Sequence, residues 1–400
     1  MKNLLIWVLL SLATRSAQGQ DEGIRFVAGT WNEVQTQAKK LGKPIFVFGT
    51  SEHCSPCHEM EKTTLREAAA GAYFNDKFVS YRLDLEKGEG IGFAKQHDIV
   101  GFPTYLFFAA DGTLLHRSSS GKPAAALVTD GETAFNPALA FYGLQRRYQA
   151  GERSAAFLYL YATASAAAGA TMKTSPAEEV VAAYMKTQST GQLRTEKNLR
   201  LLYKHSSPQV DLFFLQNQAA FGPFYTPTEI RQKADGIISS LAFEAGVAKN
   251  AVAFQQVKQL IAGNFADTAR ATSLATIQFM EGGHDWIPYT QATLRYSQYP
   301  NPDLYTLTKT VKYVKYMGNE LGPVRQQEAL RLALQLMPVI LKQKKDYYNT
   351  LLHAEILHQL HQEANALAVA REAISLAQSK QEPTDEANKL VASIQAAQKE

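Results

Sequence analysis

The 400 residues contain two cysteines, three apart, in the run Cys54-Ser55-Pro56-Cys57. A thiol attacks a disulfide only as the thiolate, and a free cysteine ionises near ~8.5. Ahead of the pair, Ile45-Phe46-Val47-Phe48 is a short apolar run bounded by turn signals, which reads as a buried strand. Behind it, a helix is expected through about Leu65. Cys54 then stands at a strand-to-helix junction, where unpaired N–H groups and the positive end of the helix dipole favour a thiolate. Cys57 lies one turn further on, close enough to bridge. The spacing assigns Cys54 as the attacking thiol and Cys57 as the resolving one. Pro56 fits a first helical turn, where its missing N–H costs little. A bridge over two intervening residues adds little through loop entropy, and a chain this long needs no staple, so the pair reads as chemistry.

Other chemistries fit these residues less well. Cys54 to His58 also spells CxxCH, the attachment pattern for c-type haem, but Met60 is too near His58 to serve as the opposite axial ligand. With His53 or His58 the cysteines give a partial zinc site that no second CxxC or His pair completes. His353, His358 and His361 are spread over a late helix and read as solvated. Lys309, Lys312 and Lys315, with Tyr313 and Tyr316, read as a solvated helix face beside a packed one. No metal, no organic cofactor and no nucleic-acid partner is expected.

The elements around the pair alternate between helix and strand. Thr30-Trp31-Asn32-Glu33 is a capping box opening a helix to Leu41, with Gly42 as its cap and Pro44 preventing continuation. Phe78 to Leu85 reads as a strand and Phe93 to His97 as a short helix. Thr104 to Phe108 and Leu114 to Arg117 read as a hairpin across Asp111-Gly112, and Phe135 to Ala150 as a closing helix. From Gly151 the strand signals fade into helical periodicity, with breaks near Ser175-Pro176, Ser207-Pro208, Gly222-Pro223, Gly282-Gly283 and Pro300-Asn301-Pro302. Ser154 to Met172 carries no charge, but its Ala, Ser, Thr and Gly content reads as a tightly packed helix, so no membrane span is expected in the mature chain. Tyr347 to Leu360 and Glu363 to Ala377 form a helix pair, followed by a third helix from about Thr384. Ala354, Ala366, Ala370 and Ala373 are spaced to let two helices approach, loosely like one tetratricopeptide repeat.

Residues 24–121 resemble the thioredoxin family, particularly exported members with a Cys-x-x-Cys-His/Lys-x-Met-Glu signature. The matching pieces are Pro44 to Phe48, Cys54-Ser55-Pro56-Cys57-His58-Glu59-Met60-Glu61, Phe78-Val79 with Asp84, and Val100-Gly101-Phe102-Pro103-Thr104 before a strand. The resemblance implies an α/β thioredoxin-like sandwich, followed here by an all-α region. It implies that Pro103 is cis and lies against the disulfide, and that the Phe102 backbone pairs with an extended substrate segment. Ser55-Pro56 keeps the Pro of the thioredoxin-type motif, which leans reducing. Two positions depart from the pattern. Phe48 stands where many members carry a buried Asp below the disulfide, which puts the activation of Cys57 in doubt. His53 replaces the usual Trp; a cationic His53 would favour a Cys54 thiolate, and a plain surface loop His accounts for it equally well.

The N-terminus adds a location. Lys2, the apolar stretch Leu4 to Ala13 and Ala17-Gln18-Gly19 read as a secretory signal peptide over residues 1–19, short for a membrane span. Its removal takes Lys2 and Arg15 from 41 basic residues, leaving 39 against 37 acidic, a net of +2 that argues for neither nucleic acid nor an anionic membrane. The expected plan is therefore a thioredoxin-like domain over 20–150, an all-helical region over 151–340 and repeat-like hairpins over 341–400. The expected function is exported, periplasmic or secreted thiol–disulfide exchange with protein thiol and disulfide substrates and a redox partner of unknown identity. The alternative is a non-catalytic scaffold in which the helical part binds proteins.

Overall fold

The computed structural model of the protein describes residues 23–398, so the signal peptide read over 1–19 lies outside the described residues. The chain separates into two compact units, one ending at Val210 and the other beginning at Asp211.

In the first unit five strands make one sheet: β1 (Phe26–Val27), β2 (Ile45–Thr50), β3 (Val79–Asp84), β4 (Thr104–Phe108) and β5 (Leu114–Ser119), in the order β1-β3-β2-β4-β5. β3 is parallel to β1 and β2, and β4 is antiparallel to β2 and β5. Five helices flank it: α1 (Trp31–Leu41), α2 (Ser55–Lys62), α3 (Ala68–Lys77), α4 (Glu89–Gln96) and α5 (Ala124–Ala134). β2 is apolar without alternation because both of its faces are covered. Ile45 and Val47 pack with Val34 and Ala38 of α1 and Phe93 of α4. Phe46 and Phe48 pack on the opposite side with Cys57 and Met60 of α2, Phe74 of α3 and Leu127 of α5. Successive residues of a strand face opposite ways, which divides the core into these two layers. Each fully buried Phe contributes about 2–3 kcal/mol by removal from water. The capping box of α1 is present, with Thr30 N–H donating to Glu33 Oε2 at 2.7 Å, and Gly42 closes the helix at φ 63°.

Two further helices, α6 (Phe141–Gln149) and α7 (Ala155–Gly169), pack against β5, the last strand of the sheet. Phe141 N–H donates to His116 Nδ1 at 3.0 Å, and Ser119 Oγ donates to the Ala167 carbonyl at 2.8 Å. The uncharged stretch from Ser154 is explained by this packing: α7 buries Phe157, Leu158, Tyr161, Ala162, Ser165 and Ala168. No helix among the described residues is long and apolar enough to cross a membrane.

The second unit is helical. Helices Pro227–Val247 and Thr268–Gly282 approach closely enough that a Cβ on Gly246 would lie 2.1 Å from the Phe279 carbonyl oxygen, and one on Gly282 2.3 Å from that of Phe243. Near the C-terminus, Tyr347–Gln359, Glu363–Ser379 and Asp385–Ala397 pack with Ala354, Ala366, Ala370 and Ala373 fully buried.

Several expectations are corrected. The helix after the cysteines ends at Lys62 rather than Leu65; Thr63 Oγ1 bonds back to the Glu59 carbonyl, and a 3-10 turn over Thr64–Arg66 follows. The closing helix expected over Phe135 to Ala150 starts only at Phe141: Phe135 caps α5, and Asn136-Pro137 leads through a turn into α6. The lysine face is solvated only in part: Lys312 and Tyr316 are exposed, but Lys309 pairs with the buried Glu281 at 2.6 Å and Lys315 with Glu355 at 2.5 Å, both lysines mostly covered. Nor are all three late histidines solvated. His353 and His358 are half-buried, and His358 Nδ1 lies 2.7 Å from Glu363 Oε2; only His361 is exposed.

Candidate functional site

β2 delivers the chain to the site. Beyond Thr50, the buried Ser51 donates its hydroxyl to Glu86, and its carbonyl receives the Cys54 N–H at 3.1 Å. Cys54 has extended backbone and is the N-cap of α2, so its own N–H is spent on the loop while its carbonyl starts the helix. Its Sγ accepts the Cys57 N–H at 3.1 Å, and its carbonyl accepts from Cys57 and His58. The two sulfurs are joined as a disulfide, with the Cα atoms 5.2 Å apart. Cys57 is fully buried, whereas Cys54 is 8% exposed, so of the two cysteines only Cys54 meets solvent. Helix N-terminal N–H groups aimed at a sulfur stabilise its anion, here at Cys54.

His53, Ser55 and Pro56 are exposed around Cys54. His58 is held down by its Nε2 against the Glu52 carbonyl at 2.8 Å, and Lys87 pairs with the Glu52 carboxylate, holding it below the usual carboxylate range. The Phe102–Pro103 peptide is cis. The Phe102 side chain packs on the layer containing Cys54 and Cys57, and Thr104 Oγ1 donates to the Gly101 carbonyl at 2.8 Å. The Phe102 N–H and carbonyl make no hydrogen bond among the described residues. The arrangement is a disulfide and, on the loop whose Phe102 side chain packs on the same layer, a backbone N–H and carbonyl without a hydrogen bond among the described residues. No group of three or more His, Cys, Asp or Glu among the described residues is placed to hold a metal ion.

Residues 31–129 match a family described as a thioredoxin-like domain. They form a thioredoxin-like domain. Similar solved structures include the solution structure of a candidate disulphide-isomerase from Bacteroides thetaiotaomicron, 28% identical, covering 29% of this chain and 97% of that one with a TM-score of 0.28. A second, described as DsbH oxidoreductase, is 22% identical and covers 28% of this chain and 86% of that one with a TM-score of 0.26. No curated protein matches the chain.

Within the thioredoxin-like domain, the sequence-predicted residues fall in two places. His53 to Cys57 lie on the loop and first turn of α2, and Phe102 and Pro103 on the loop before β4. Phe48 is fully buried in the same layer as Cys57, with its ring 5.9 Å from that of Tyr105 and 6.2 Å from that of Phe26. What the sequence did not disclose is a polar cluster beside Tyr105. Lys122 Nζ lies 4.9 Å from the ring centre and pairs with Asp130 at 2.5 Å, and Ser118 Oγ donates to the same carboxylate. Burial pushes the Tyr105 hydroxyl well above its ordinary value, and that hydroxyl donates to the Ser120 carbonyl at 3.1 Å. The three side chains come from separate elements, so no spacing pattern marks them.

Proposed function

We propose that this protein is a thiol–disulfide oxidoreductase acting on protein disulfides, with Cys54 as the attacking and Cys57 as the resolving residue. The observation that carries the reading is the Cys54 sulfur at the N-terminus of α2, receiving the Cys57 N–H at 3.1 Å. In the reducing direction, the Cys54 thiolate attacks one sulfur of a substrate disulfide. That S–S bond breaks, and the departing sulfur leaves as a thiolate that takes a proton. Cys57, deprotonated, then attacks Cys54 and expels the second substrate thiol, so two electrons pass to substrate and the protein keeps the Cys54–Cys57 disulfide. A dithiol partner restores the reduced form, and the same steps reversed oxidise a substrate. The open N–H and carbonyl of Phe102, before cis-Pro103, would hold an extended substrate segment, and His53, Ser55 and Pro56 would border it.

The signal peptide read at residues 1–19 supports a periplasmic or secreted location, where such pairs find disulfide substrates. In this plan residues 20–150 carry the exchange, and the helices over 151–340 and 341–400 serve substrate or partner binding. The test is insulin turbidity with dithiothreitol as the supplied reductant. Wild type should shorten the lag and Cys54→Ser should not. A wild type that leaves the lag unchanged would point to the scaffold alternative.

A further inference from the structure

Residues 97–101 lead directly into Phe102 and Pro103, and they are tied to a short segment that follows α7. Val100 N–H donates to the Thr171 carbonyl at 3.0 Å, and Ile99 makes an antiparallel bridge with Met172. Asp98 Oδ2 accepts from the Thr174 N–H at 2.9 Å and from its hydroxyl at 2.6 Å. Beneath this crossing lies Arg117 of β5, fully buried. Its guanidinium donates to the His97 carbonyl at 3.1 Å and to the Thr171 carbonyl at 3.3 Å, so one buried cation clamps both segments. The fit is close: a Cβ on Gly101 would lie 3.3 Å from Thr171 Cγ2.

We propose that Thr171 to Thr174 form a positioning strap that fixes the Phe102 backbone and limits substrate pairing to that one residue. A substrate strand continuing past Phe102 would next need the N–H two residues back, because alternate residues of extended backbone face the same side. That donor is Val100, and Thr171 already occupies it. The segment that makes exchange on a protein strand possible is thus held by the short stretch that follows α7. The substrate class is a disulfide in an extended segment that presents a single free backbone pair beside its cysteine. Small disulfides need no such pairing and are indifferent to the strap.

This rests on the exchange reading above, and the experiment separates the two. The full chain, reduced, is assayed against insulin and against dithiobis-nitrobenzoate, a small aromatic disulfide. Asp98→Gly removes the acceptor for Thr174 while suiting the backbone there, whose φ is 54°. Thr171→Gly keeps the carbonyl that Val100 and Arg117 use but removes the hydroxyl that accepts from Arg117 and the methyl packed on Gly101, which loosens the crossing at its other end. Both variants should lose about threefold to tenfold in kcat/KM on insulin through a raised KM, the scale of one lost hydrogen bond. The rate on the small disulfide and the reduction potential should stay at the wild-type values. Asp98→Asn, which keeps an acceptor oxygen, should restore the insulin KM. If wild type exchanges with neither disulfide, the exchange reading fails and the strap with it. If wild type exchanges with both, and the Gly variants either match it on insulin or fall equally on both substrates, the strap alone is overturned.

Discussion

The sulfur of Cys54 accepts the backbone N–H of Cys57 at 3.1 Å, so the first cysteine of the pair caps the helix that carries the second. Kept on reduction, this contact would favour the Cys54 thiolate, and Cys57 is fully buried in the disulfide form. Brief alkylation near pH 6.5 with iodoacetamide should label Cys54 at least about tenfold faster than Cys57, since only thiolate reacts and only Cys54 is reachable. Peptide mapping reads the ratio, and faster labelling of Cys57 would reverse the roles.

Phe48 bears on the second step. In the proposed exchange Cys57 loses a proton in the layer where Phe48 packs, and apolar surroundings hold a thiol protonated. Glu52 is a weak substitute as base, because the Lys87 hydrogen bond and charge lower its carboxylate's affinity for a proton. Resolution should therefore be slower than attack, and mixed disulfides should accumulate in wild type near neutral pH. Phe48→Asp should speed resolution and cost about 3–5 kcal/mol of stability, through the lost ring and the buried carboxylate. Single-turnover exchange with a model disulfide checks both. Wild-type resolution as fast as formation, unchanged in Phe48→Asp, would remove Phe48 from the account.

His116 makes stability depend on pH. Its Nδ1 accepts the Phe141 N–H, which requires that nitrogen to be unprotonated. Burial lowers its pKa to about 4. The unfolded chain binds a proton near ~6.5 and the folded one does not, so stability is highest above that value and falls as pH drops towards 4. The loss from His116 should be about 3 kcal/mol. Half-buried His97, lowered to about 4 by burial and then by Arg117, adds in the same direction. Urea midpoints between pH 7.5 and 4.5 measure the fall, and His116→Asn, whose carboxamide oxygen can accept the same N–H, should flatten it.

Gly246 tests the helical unit. An added Cβ meets the Phe279 carbonyl at 2.1 Å, and backbone cannot move aside as a flexible side chain would. Gly246→Ala should destabilise by about 1–3 kcal/mol or more. A urea midpoint equal to that of wild type would mean the two helices do not approach as closely as described.

Local signals carried much of this fold into the sequence. The Thr30 to Glu33 box, Gly42, and the unbroken run Ile45 to Phe48 each act through neighbouring residues, and each was readable. β1 is two residues long, too short to show a period. α3 begins Ala68-Ala69-Ala70-Gly71 without a side-chain cap, and α5 follows Pro123 in an Ala-rich stretch, so neither shows a polar boundary or a strong apolar stripe. Of the site, Cys54 and Cys57 were legible because their spacing is local, and Phe102-Pro103 through the resemblance. The clamp of Arg117 on Thr171 and the Lys122–Asp130 pair were not, because they join residues that only tertiary packing brings together.

The most direct test is to trap the exchange midway. Cys57→Ser protein, reduced and mixed with a peptide disulfide, should give a single adduct by intact mass, and peptide mapping should place it on Cys54. Cys54→Ser should give none on the same timescale, because Cys57 is fully buried. An adduct formed equally by Cys54→Ser, or none by Cys57→Ser, would contradict an exchange that starts at Cys54.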